Sequence, residues 1–456
     1  MSDILFTYQH KPREIEVLCL LKLELEKRGH TVDFTCTFKA DRIFSFFRKT
    51  RLVVSSAMYN DDVLWFMVYD IAGFVDKVIN LQWEQVLSNS DEADPSCFHN
   101  PNGYAREVLH LCWGEAPHNR IVSAGVPATK APVIGAIHLD FLLPEFESYF
   151  LDRQNLALKF NLDSNKEWSI FISSFTMHNM TEEELNQLLE YYGDEILELK
   201  RLTILSKMHI LIWIESVLTE FPDKIFIYRP HPDETTDESL KEVEKKYKNF
   251  VIIPDLSVKQ WIKCSDRIYT WYSTSVAEIE KAGKGFDILR PVEIPSVYDV
   301  SIYRGAKFLT SQDGFRSSLL ADHQEMPLDS TILHNYYRNN KSYPAYMQAA
   351  DLIESSLLSS ENNMQKHPSA ASVNLGVIKK KLKEDVIDLL INLFGRHSEK
   401  LPYVGETLKY SRSFRERMKR DLHKNLATEE EIGIICSQLR PIVYADYFSK
   451  NKVQPG

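Results

Sequence analysis

The sequence is poor in cysteine and shows no cysteine pattern that would bind a metal. Six cysteines are spread over 456 residues, and no two of them form a C-x-x-C pair; they are Cys19, Cys36, Cys97, Cys112, Cys264 and Cys436. This spacing fits neither a zinc site nor a disulfide framework, so reduced thiols are expected. Because residues 1–8 also lack a signal-peptide layout, we expect a cytoplasmic location.

Other signatures are missing as well, and each absence argues against a class of protein. No run approaches ~18 apolar residues, so a membrane-spanning helix is not expected. There is no Walker A motif and no complete G-x-G-x-x-G fingerprint, the patterns typical of ATP and NAD sites. No Asp-x-Asp pair stands where a metal-dependent sugar transferase would need one. The formal charge of −10 argues against a nucleic-acid partner. We therefore expect neither a metal ion nor a cofactor.

What the sequence does contain is an alternation of strand and helix patterns. Residues 4–8 predict a buried strand, residues 13–28 a helix ended by Gly29, and residues 30–34 a second strand. These three elements form a βαβ unit, the start of a parallel sheet. Further strands are predicted at 51–55, 77–81 and 131–134.

A second alternating series follows a polar stretch at 161–166. Strands are predicted at 168–172, 224–228, 251–253 and 267–270, and helices at 181–221, 236–248, 258–264 and 274–282. The pattern predicts an α/β protein of the GT-B class, with two doubly wound, Rossmann-like parallel-sheet lobes and a helical C-terminal extension. We place the lobes at 1–145 and 146–350, and a linker with the helical extension at 351–456, the polar linker itself covering 355–372.

A proline-flanked histidine follows one strand of the second series, in the segment Tyr228-Arg229-Pro230-His231-Pro232-Asp233-Glu234. Ligands of open parallel sheets bind beyond the carboxyl ends of the strands, which is where this turn is predicted to lie. His231 could donate to a phosphate oxygen, and Arg229 could neutralise a pyrophosphate or a carboxylate. The alternatives are a rigid turn with His231 in solvent, and an Arg229 that pairs with Asp233 or Glu234.

A cluster of hydroxyl side chains stands where a later helix is predicted to begin. Ser273, Thr274 and Ser275 follow the strand at 267–270, and Glu278 lies one turn into the helix. A helix N-terminus with added hydroxyl donors receives anions, and Glu278 could reach ribose hydroxyls. The alternative is a capping box formed by Ser275 and Glu278, which is compatible with phosphate binding.

Together these two elements resemble the HP and S motifs of the glycosyltransferases that build bacterial capsules and surface carbohydrates. That group includes bacterial sialyltransferases, Kdo transferases and the glycerophosphate transferases of teichoic acid synthesis. Three further segments look similar to these proteins: Arg13-Glu14-Ile15, Gly29-His30-Thr31-Val32, and Val133-Ile134-Gly135 with Asp140. One segment departs from them, since Gly135-Ala136-Ile137-His138 stands where many relatives read G-N-P-R.

The resemblance implies which lobe binds which substrate. The donor nucleotide is expected in the second lobe, where Arg229, His231, Pro232, Ser273, Thr274, Ser275 and Glu278 are the candidate contacts. The acceptor is expected in the first lobe. Candidate acceptor or sugar contacts are His10, Arg13 and Glu14, with Ser173, Ser174 and His178 from the second lobe; the last three could equally form an ordinary polar loop.

Glycosyl transfer also requires either a base for the acceptor hydroxyl or a nucleophile that attacks the sugar, and a carboxylate can serve as either. The candidate catalytic residues are Glu84, His231 and Asp233, and Glu14 and Glu234 are further carboxylates. Glu84 leads, because an acid beside Trp83 at a strand's end could be desolvated and have a raised pKa.

The resemblance implies a glycosyltransferase that places a sugar on a surface polysaccharide or its lipid-linked precursor. A CMP donor carrying Kdo or a related acidic sugar is favoured, because one histidine and one helix N-terminus could satisfy a single phosphate. Arg229 or Lys259 could then bind the sugar carboxylate. The alternatives are a CDP-glycerol-type glycerophosphotransferase and a non-catalytic carbohydrate-assembly subunit.

A basic and then apolar helix pattern near the C-terminus suggests one more partner. Residues 376–424 contain 13 Lys or Arg against 7 Asp or Glu, a net charge of +6. Lys379, Lys380, Lys381 and Lys383 lead into an apolar run ending at Phe394. Such a helix could lie on anionic lipid at the inner face of the inner membrane, or could pack on the lobes with its lysines in solvent.

Overall fold

The computed structural model describes residues 2–39, 50–360, 368–394, 416 and 418–445. The chain divides into two compact units, neither of which is one continuous stretch. Unit 1 comprises residues 1–85, 99–137 and 340–456, and unit 2 comprises 86–98 and 138–339. The predicted boundaries differ from this division in three respects, since residues 86–98 and 138–145 join unit 2 and residues from 340 onward join unit 1.

Unit 1 is built on a five-stranded parallel sheet of order β2-β1-β3-β4-β5. The strands are β1 (Ile4–Tyr8), β2 (Val32–Cys36), β3 (Leu52–Ser55), β4 (Val78–Asn80) and β5 (Leu109–His110). Four of the five positions of β1 pair in register with β3, from Ile4 with Leu52 to Thr7 with Ser55. The chain leaves β1 for β2 on one side and returns to β3 on the other, so the order of winding reverses between β1 and β3.

One predicted strand of unit 1 does not form. In the segment 131–134 only Val133 makes a β-bridge, to Cys112. Pro132 has no N–H to donate to a ladder, and Gly135 follows with a φ of +91°, which ends the extended run. The apolar run was therefore misleading, and β5, only two residues long, was not predicted.

Unit 2 is built on a six-stranded sheet, also entirely parallel, of order β11-β10-β9-β6-β7-β8. The strands are β6 (Glu167–Ile172), β7 (Lys224–Arg229), β8 (Phe250–Ile252), β9 (Arg267–Thr270), β10 (Asp287–Leu289) and β11 (Phe308–Leu309). If the strands are numbered 1 to 6 within the unit, the order is 6-5-4-1-2-3, which is that of a doubly wound Rossmann-type sheet. The winding reverses between β6 and β9.

Helices cover both sheets. Their bounds are Lys11–Lys27, Asp61–Leu64, Asp70–Ala72, Asn89–Ala93, Glu115–Ser123, Ile137–Asp140, Arg153–Phe160, Glu182–Tyr192, Glu195–Leu218, Glu238–Lys246, Val258–Cys264, Val276–Lys281, Gln312–Leu320, Ser330–Tyr336, Ala345–Leu358, Ala370–Phe394 and Glu429–Tyr444. The predicted helix at 181–221 is two helices, because Gly193 adopts a φ of +63° between them. None of the helices in the described residues is long and apolar enough to cross a membrane.

The C-terminal helices belong to unit 1. The Tyr8 hydroxyl accepts a hydrogen bond from the Ala427 amide at 3.0 Å. Lys11 pairs with Glu431 at 2.9 Å, and Lys27 donates to the Val443 carbonyl at 3.0 Å. The helical extension is thus confirmed. The polar linker predicted at 355–372 begins inside the helix Ala345–Leu358, and its residues 361–367 lie outside the described residues, as do residues 395–415 of the basic stretch.

Candidate functional site

The carboxyl ends of β6 and β9 meet where the winding of the unit 2 sheet reverses. The Thr270 hydroxyl at the end of β9 donates to the Ile172 carbonyl at the end of β6, at 3.1 Å. The loops that leave these two strands begin with Ser173 and Trp271, so the predicted Ser174 and hydroxyl cluster flank this point. In open α/β sheets this position is the usual ligand site.

The hydroxyl loop is held by a tyrosine while its side chains stay accessible. Thr274 is exposed, and Ser273 and Ser275 are half-buried. The Tyr303 hydroxyl accepts from the Ser273 amide at 3.0 Å and donates to the Ser273 carbonyl at 2.8 Å. The backbone is therefore fixed before any ligand arrives, which reduces the entropy that binding costs.

The capping box of Ser275 and Glu278, which was the alternative to phosphate binding, does not form at this helix. Ser275 is already in the helical conformation, with φ −62° and ψ −4°, and its side chain makes no cap hydrogen bond. Its amide instead donates to the Ser273 hydroxyl at 3.2 Å. Glu278 is consequently not committed to the cap.

Glu278 is a buried carboxylate, 9 % exposed. Burial raises the pKa of Glu278 to about 7, although the positive charge of Lys259 opposes the shift. His138 Nε2 lies 3.9 Å from its Oε1 atom, and the ring of Tyr337 stacks edge-on against His138. Of these residues, the sequence analysis named Glu278 as a candidate contact but not His138 or Tyr337. His138 could have been noticed because it lies in Gly135-Ala136-Ile137-His138, the segment that departs from the similar glycosyltransferases.

The two serines after β6 have different surroundings. Ser173 is buried and donates to Glu234, and its hydroxyl lies 2.9 Å from that of Tyr228. Ser174 Oγ is buried and has no hydrogen-bond partner among the described residues. A buried hydroxyl without a partner costs free energy that a ligand can recover. Of the two, Ser174 is the better candidate for ligand contact.

Glu234 belongs to a buried ionic network behind the proline turn. Its side chain is 1 % exposed, and Lys207 Nζ lies 3.3 Å from it and 2.8 Å from Asp237. Lys207 also helps to lower the pKa of Asp237 to about 2, against the opposing effect of burial. His178 Nδ1 is 3.3 Å from the same Asp237 carboxylate. These contacts make Glu234 and Asp237 structural supports of the turn.

His231 lies at the surface of that turn. Its Nδ1 accepts from the Asp233 amide at 3.1 Å, and Asp233 and Pro232 are both exposed. With Nδ1 as an acceptor, the neutral imidazole carries its proton on Nε2, from which it can donate to a phosphate oxygen. The geometry is thus compatible with the predicted donor contact.

Arg229 has a different position from the one expected. Its side chain is 7 % exposed. Its guanidinium donates to the carbonyls of Pro254, Asp255 and Leu256, with distances of 3.1 and 2.9 Å to the first two. Arg229 therefore holds the loop after β8, as the planar guanidinium is well suited to do.

A cavity of about 800 Å³ lies beside the hydroxyl loop, at the carboxyl ends of β10 and β11. Tyr303 lines it, so the cavity and the Ser273 loop share a wall. Arg290, which lines it too, is 5 % exposed and pairs with Asp299 at 2.7 Å. Arg304 at the rim has no carboxylate partner among the described residues; it donates to the Asn89 side chain at 3.4 Å. The cavity is large enough for a sugar.

A second polar cluster lies in unit 1, in the loops after β1, β3 and β4. Glu84 accepts from Arg13 at 3.3 Å and from the Tyr59 hydroxyl at 3.3 Å, and it contacts His99 Nε2 at 3.1 Å. Burial alone raises the pKa of Glu84, but the hydrogen bond to His99 and the charge of Arg13 outweigh it and hold the pKa well below its ordinary value. The expected raised pKa is therefore wrong.

Glu14 and His10 stand beside this cluster. Glu14 is fully buried and accepts from the amides of Gln9 and His10, at 3.1 and 3.0 Å. Its carboxylate closes the turn between β1 and the following helix, whereas the His10 side chain makes no cap hydrogen bond there. Sequence reasoning missed His99, which is 15 residues from Glu84 and separated from it by the segment that joins unit 2.

No group of three or more His, Cys, Asp or Glu side chains that could hold a metal ion occurs in the described part of the chain. The two clusters are built instead from imidazoles, hydroxyls, cations and isolated carboxylates. Such groups can bind phosphate and sugar hydroxyls and can move a proton.

No protein-family model matches the chain, and no curated protein matches its sequence. Solved structures do match it. One variant of the wall teichoic acid polymerase TagF aligns over 78 % of this chain and 89 % of its own, at 12 % identity and a TM-score of 0.51. A TagF variant soaked with CDPG aligns over 78 % and 88 %, at 12 % identity and a TM-score of 0.50. MnaA of S. aureus, a co-structure with UDP, aligns over 81 % and 99 %, at 14 % identity and a TM-score of 0.45.

The likeness to TagF shows the fold. The chain has two parallel-sheet α/β units with added helices, and the predicted GT-B class is confirmed.

Proposed function

We propose that this chain is a nucleotide-dependent transferase of carbohydrate assembly that binds its donor in unit 2. One observation carries the proposal: the fixed hydroxyl loop of Ser273 to Ser275 stands at the sheet's reversal point, with the buried carboxylate of Glu278 one turn behind it. Hydroxyl and amide donors suit a phosphate, and a carboxylate suits the two hydroxyls of a ribose.

We assign the remaining donor contacts as part of the same proposal. His231 donates from Nε2 to the phosphate as the bond to the sugar breaks, when negative charge on the phosphate increases. Ser174 supplies a further hydroxyl. The sugar occupies the cavity lined by Tyr303, Arg290 and Arg304, which adjoins the hydroxyl loop.

A CMP-linked acidic sugar, such as Kdo, is the favoured donor. One imidazole and one hydroxyl loop are enough for a single phosphate. Because Arg229 is engaged with three backbone carbonyls, the cation for a sugar carboxylate is Arg304 at the cavity rim or Lys259 beside Glu278. No metal ion is required in this scheme, since protein cations and dipoles neutralise the charge.

In unit 1 we assign the base to His99 rather than to Glu84. A carboxylate with a strongly lowered pKa accepts protons poorly near neutral pH, but it orients a histidine and stabilises the imidazolium that forms. His99 would take the proton of the acceptor hydroxyl, with Glu84 in the supporting role. His10 and Arg13 are the proposed acceptor contacts beside it, on a glycan or lipid-linked glycan.

A glycerophosphate transferase is the second candidate. It is favoured by the fold likeness to TagF, a wall teichoic acid polymerase whose variant was soaked with CDPG. The same donor site would then hold a cytidine diphosphate. The linkage of the product, glycosidic or phosphodiester, separates the two activities, and absence of nucleotide release with any acceptor would indicate a non-catalytic assembly subunit.

Calorimetric titration with CMP, CDP, UDP and GDP tests the donor site. We expect CMP to bind most tightly, and His231→Ala to weaken it by about tenfold or more, the loss of one charge-assisted hydrogen bond. The matched control is the substitution His323→Ala. His323 is exposed, and its neighbour Gln324 accepts from the Ile268 amide in β9, near the amino-terminal end of that strand and therefore away from its carboxyl end. UDP binding tenfold tighter than CMP would overturn the CMP assignment, and binding of none of the four would overturn the proposal.

A further inference from the structure

The helix Ala370–Phe394 carries a row of large apolar side chains that are exposed to solvent. Their exposed fractions lie between 46 and 67 %, and the residues are Leu375, Ile378, Leu382, Val386, Leu389 and Leu393. Single exposed leucines are common on protein surfaces, but a continuous row of this kind marks an interaction site. We call this row the apolar stripe.

The stripe faces away from unit 1 because the opposite side of the helix is already packed. Val373 and Val377 are buried in the unit 1 core, and Lys380 forms an ion pair with Asp70. Gly376 lies so close to Trp65 that a Cβ atom there would be 2.7 Å from the ring. At about 100° per residue, these positions fall on the side of the helix opposite to the stripe.

The spacing of the stripe suits a flat partner. Its residues are separated by intervals of 3, 4, 4, 3 and 4 positions. The spacing of the last three residues therefore repeats that of the first three, shifted by 11 residues. Eleven residues make almost three whole turns, and the row therefore runs nearly straight along the helix for about 27 Å. Leu375, Leu382 and Leu389 are seven residues apart, but the alternation of 3 and 4 that a left-handed coiled coil needs is broken between Leu382 and Val386, where two intervals of 4 follow each other.

The charges beside the stripe indicate what that flat partner is. Lys379 and Lys383 are exposed and lie along one flank of the stripe, with Asp385 on the other. Within the helix, four lysines stand against Glu384, Asp385 and Asp388, and the rest of the +6 net charge of 376–424 comes from residues after Phe394. Lysines beside an apolar helix face are the pattern of helices that lie in the surface of an anionic bilayer.

We propose that the apolar stripe lies in the headgroup region of an anionic membrane, with Lys379 and Lys383 against the lipid phosphates. The helix then lies parallel to the membrane plane. Its opposite side, with Val373 and Val377 in the unit 1 core, connects unit 1 to the membrane. The proposal is independent of the donor site, since every residue that carries it belongs to unit 1.

Vesicle flotation with the full-length chain tests the proposal. The vesicles are pure phosphatidylcholine, or phosphatidylcholine with 30 mol % phosphatidylglycerol (about one anionic lipid in three, to give a clear surface potential). We expect binding to the anionic vesicles at least tenfold stronger than to the neutral ones. The variant Leu382→Gln with Leu389→Gln should lose tenfold or more, and Lys379→Gln with Lys383→Gln should lose affinity and salt dependence.

The matched control is Leu158→Gln with Leu320→Gln, two leucines of unit 2 that are 82 and 58 % exposed. This control should float like the wild type, and all variants should keep the wild-type unfolding temperature. Failure of the wild type to bind anionic vesicles, or an equal loss in the control, would overturn the proposal. A further outcome would also overturn it. If light scattering shows that the wild type is a dimer, and the stripe variant is a monomer that still binds vesicles, the partner of the stripe is a second copy of the chain.

Discussion

Replacing Glu278 by glutamine is expected to stabilise the protein at alkaline pH and at the same time to weaken nucleotide binding. Glutamine has nearly the same shape but no charge. Burial raises the pKa of Glu278 from 4.5 to about 7, with Lys259 opposing the shift. A carboxylate that resists ionisation in the folded state costs free energy once the pH forces it to ionise.

The magnitude follows from the size of the shift. Each pKa unit corresponds to about 1.4 kcal/mol, so ionised Glu278 costs up to about 3 kcal/mol relative to the unfolded chain. The folded pKa is the higher one, so the cost is absent below about pH 4.5, where Glu278 is protonated in both states, and stability is lost as the pH rises from there through about 7. The variant should therefore match the wild type near pH 4.5 and exceed it by about 1–3 kcal/mol at pH 8.

Binding should change in the opposite direction. A carboxylate that accepts from two ribose hydroxyls contributes about 1.5–3 kcal/mol, so we expect Glu278→Gln to weaken CMP binding by about 10- to 100-fold at pH 8. Wild-type affinity should rise with pH through 7 more steeply than that of the variant. The titration of CMP's own phosphate affects both proteins equally and cancels in the comparison.

The two measurements are thermal unfolding and calorimetry, each at pH 5 and pH 8. A variant that is more stable than the wild type but binds CMP less well indicates that Glu278 destabilises the fold and serves ligand binding, a trade-off common at binding sites. If the variant is instead less stable at pH 8 and binds CMP normally, Glu278 is a packing residue and the assignment of the ribose contact is refuted.

Three more substitutions have defined outcomes. His231→Ala should reduce transfer by about 10²–10³ while the fold stays intact, as measured by circular dichroism and nucleotide release; activity within about threefold of the wild type and of the His323→Ala control would contradict the role. His99→Gln should lower kcat by about 10²–10⁴ with unchanged CMP affinity, measured by steady-state kinetics with calorimetry, whereas a change in CMP affinity alone would contradict a role as base. Lys207→Met leaves the buried Glu234 and Asp237 without their cation and should cost about 3–5 kcal/mol in chemical denaturation; adding Glu234→Gln should recover part of the loss, and a single variant as stable as the wild type would show that the network is not under this electrostatic constraint.

Much of the fold could be predicted because local pattern and tertiary structure agree. Ile4–Tyr8, Val258–Cys264 and Arg267–Thr270 have the bounds that the pattern predicts, since a buried strand of a parallel sheet is apolar on both faces and an exposed helix is not. The short strands β10 and β11 were not predicted, because two or three residues carry too little periodicity to be recognised.

The positions of the candidate loops could be predicted, but their contacts could not. The structure brings the loops after β6 and β9 to one edge of the sheet, because parallel topology fixes which loops share an edge. The partners were different from those expected, since they depend on contacts between distant segments. Arg229 meets backbone carbonyls more than 20 residues away, and Glu84 meets His99. The lowered pKa of Glu84 results from such contacts. The residues next to Glu84 in the sequence do not indicate which distant residues it contacts.

The interrupted course of unit 1 has a consequence for how the protein is made. Its first helix, Lys11–Lys27, packs against the helices Ala345–Leu358 and Glu429–Tyr444, both of which follow residue 340. During synthesis these segments leave the ribosome after the whole of unit 2, which needs nothing beyond residue 339. We therefore expect unit 2 to fold first, although residues 1–85 of unit 1 precede it in the sequence, which reverses the usual N-terminal order. The first 85 residues would wait with their apolar surfaces unpaired, and they are where chaperone binding and aggregation during expression should concentrate.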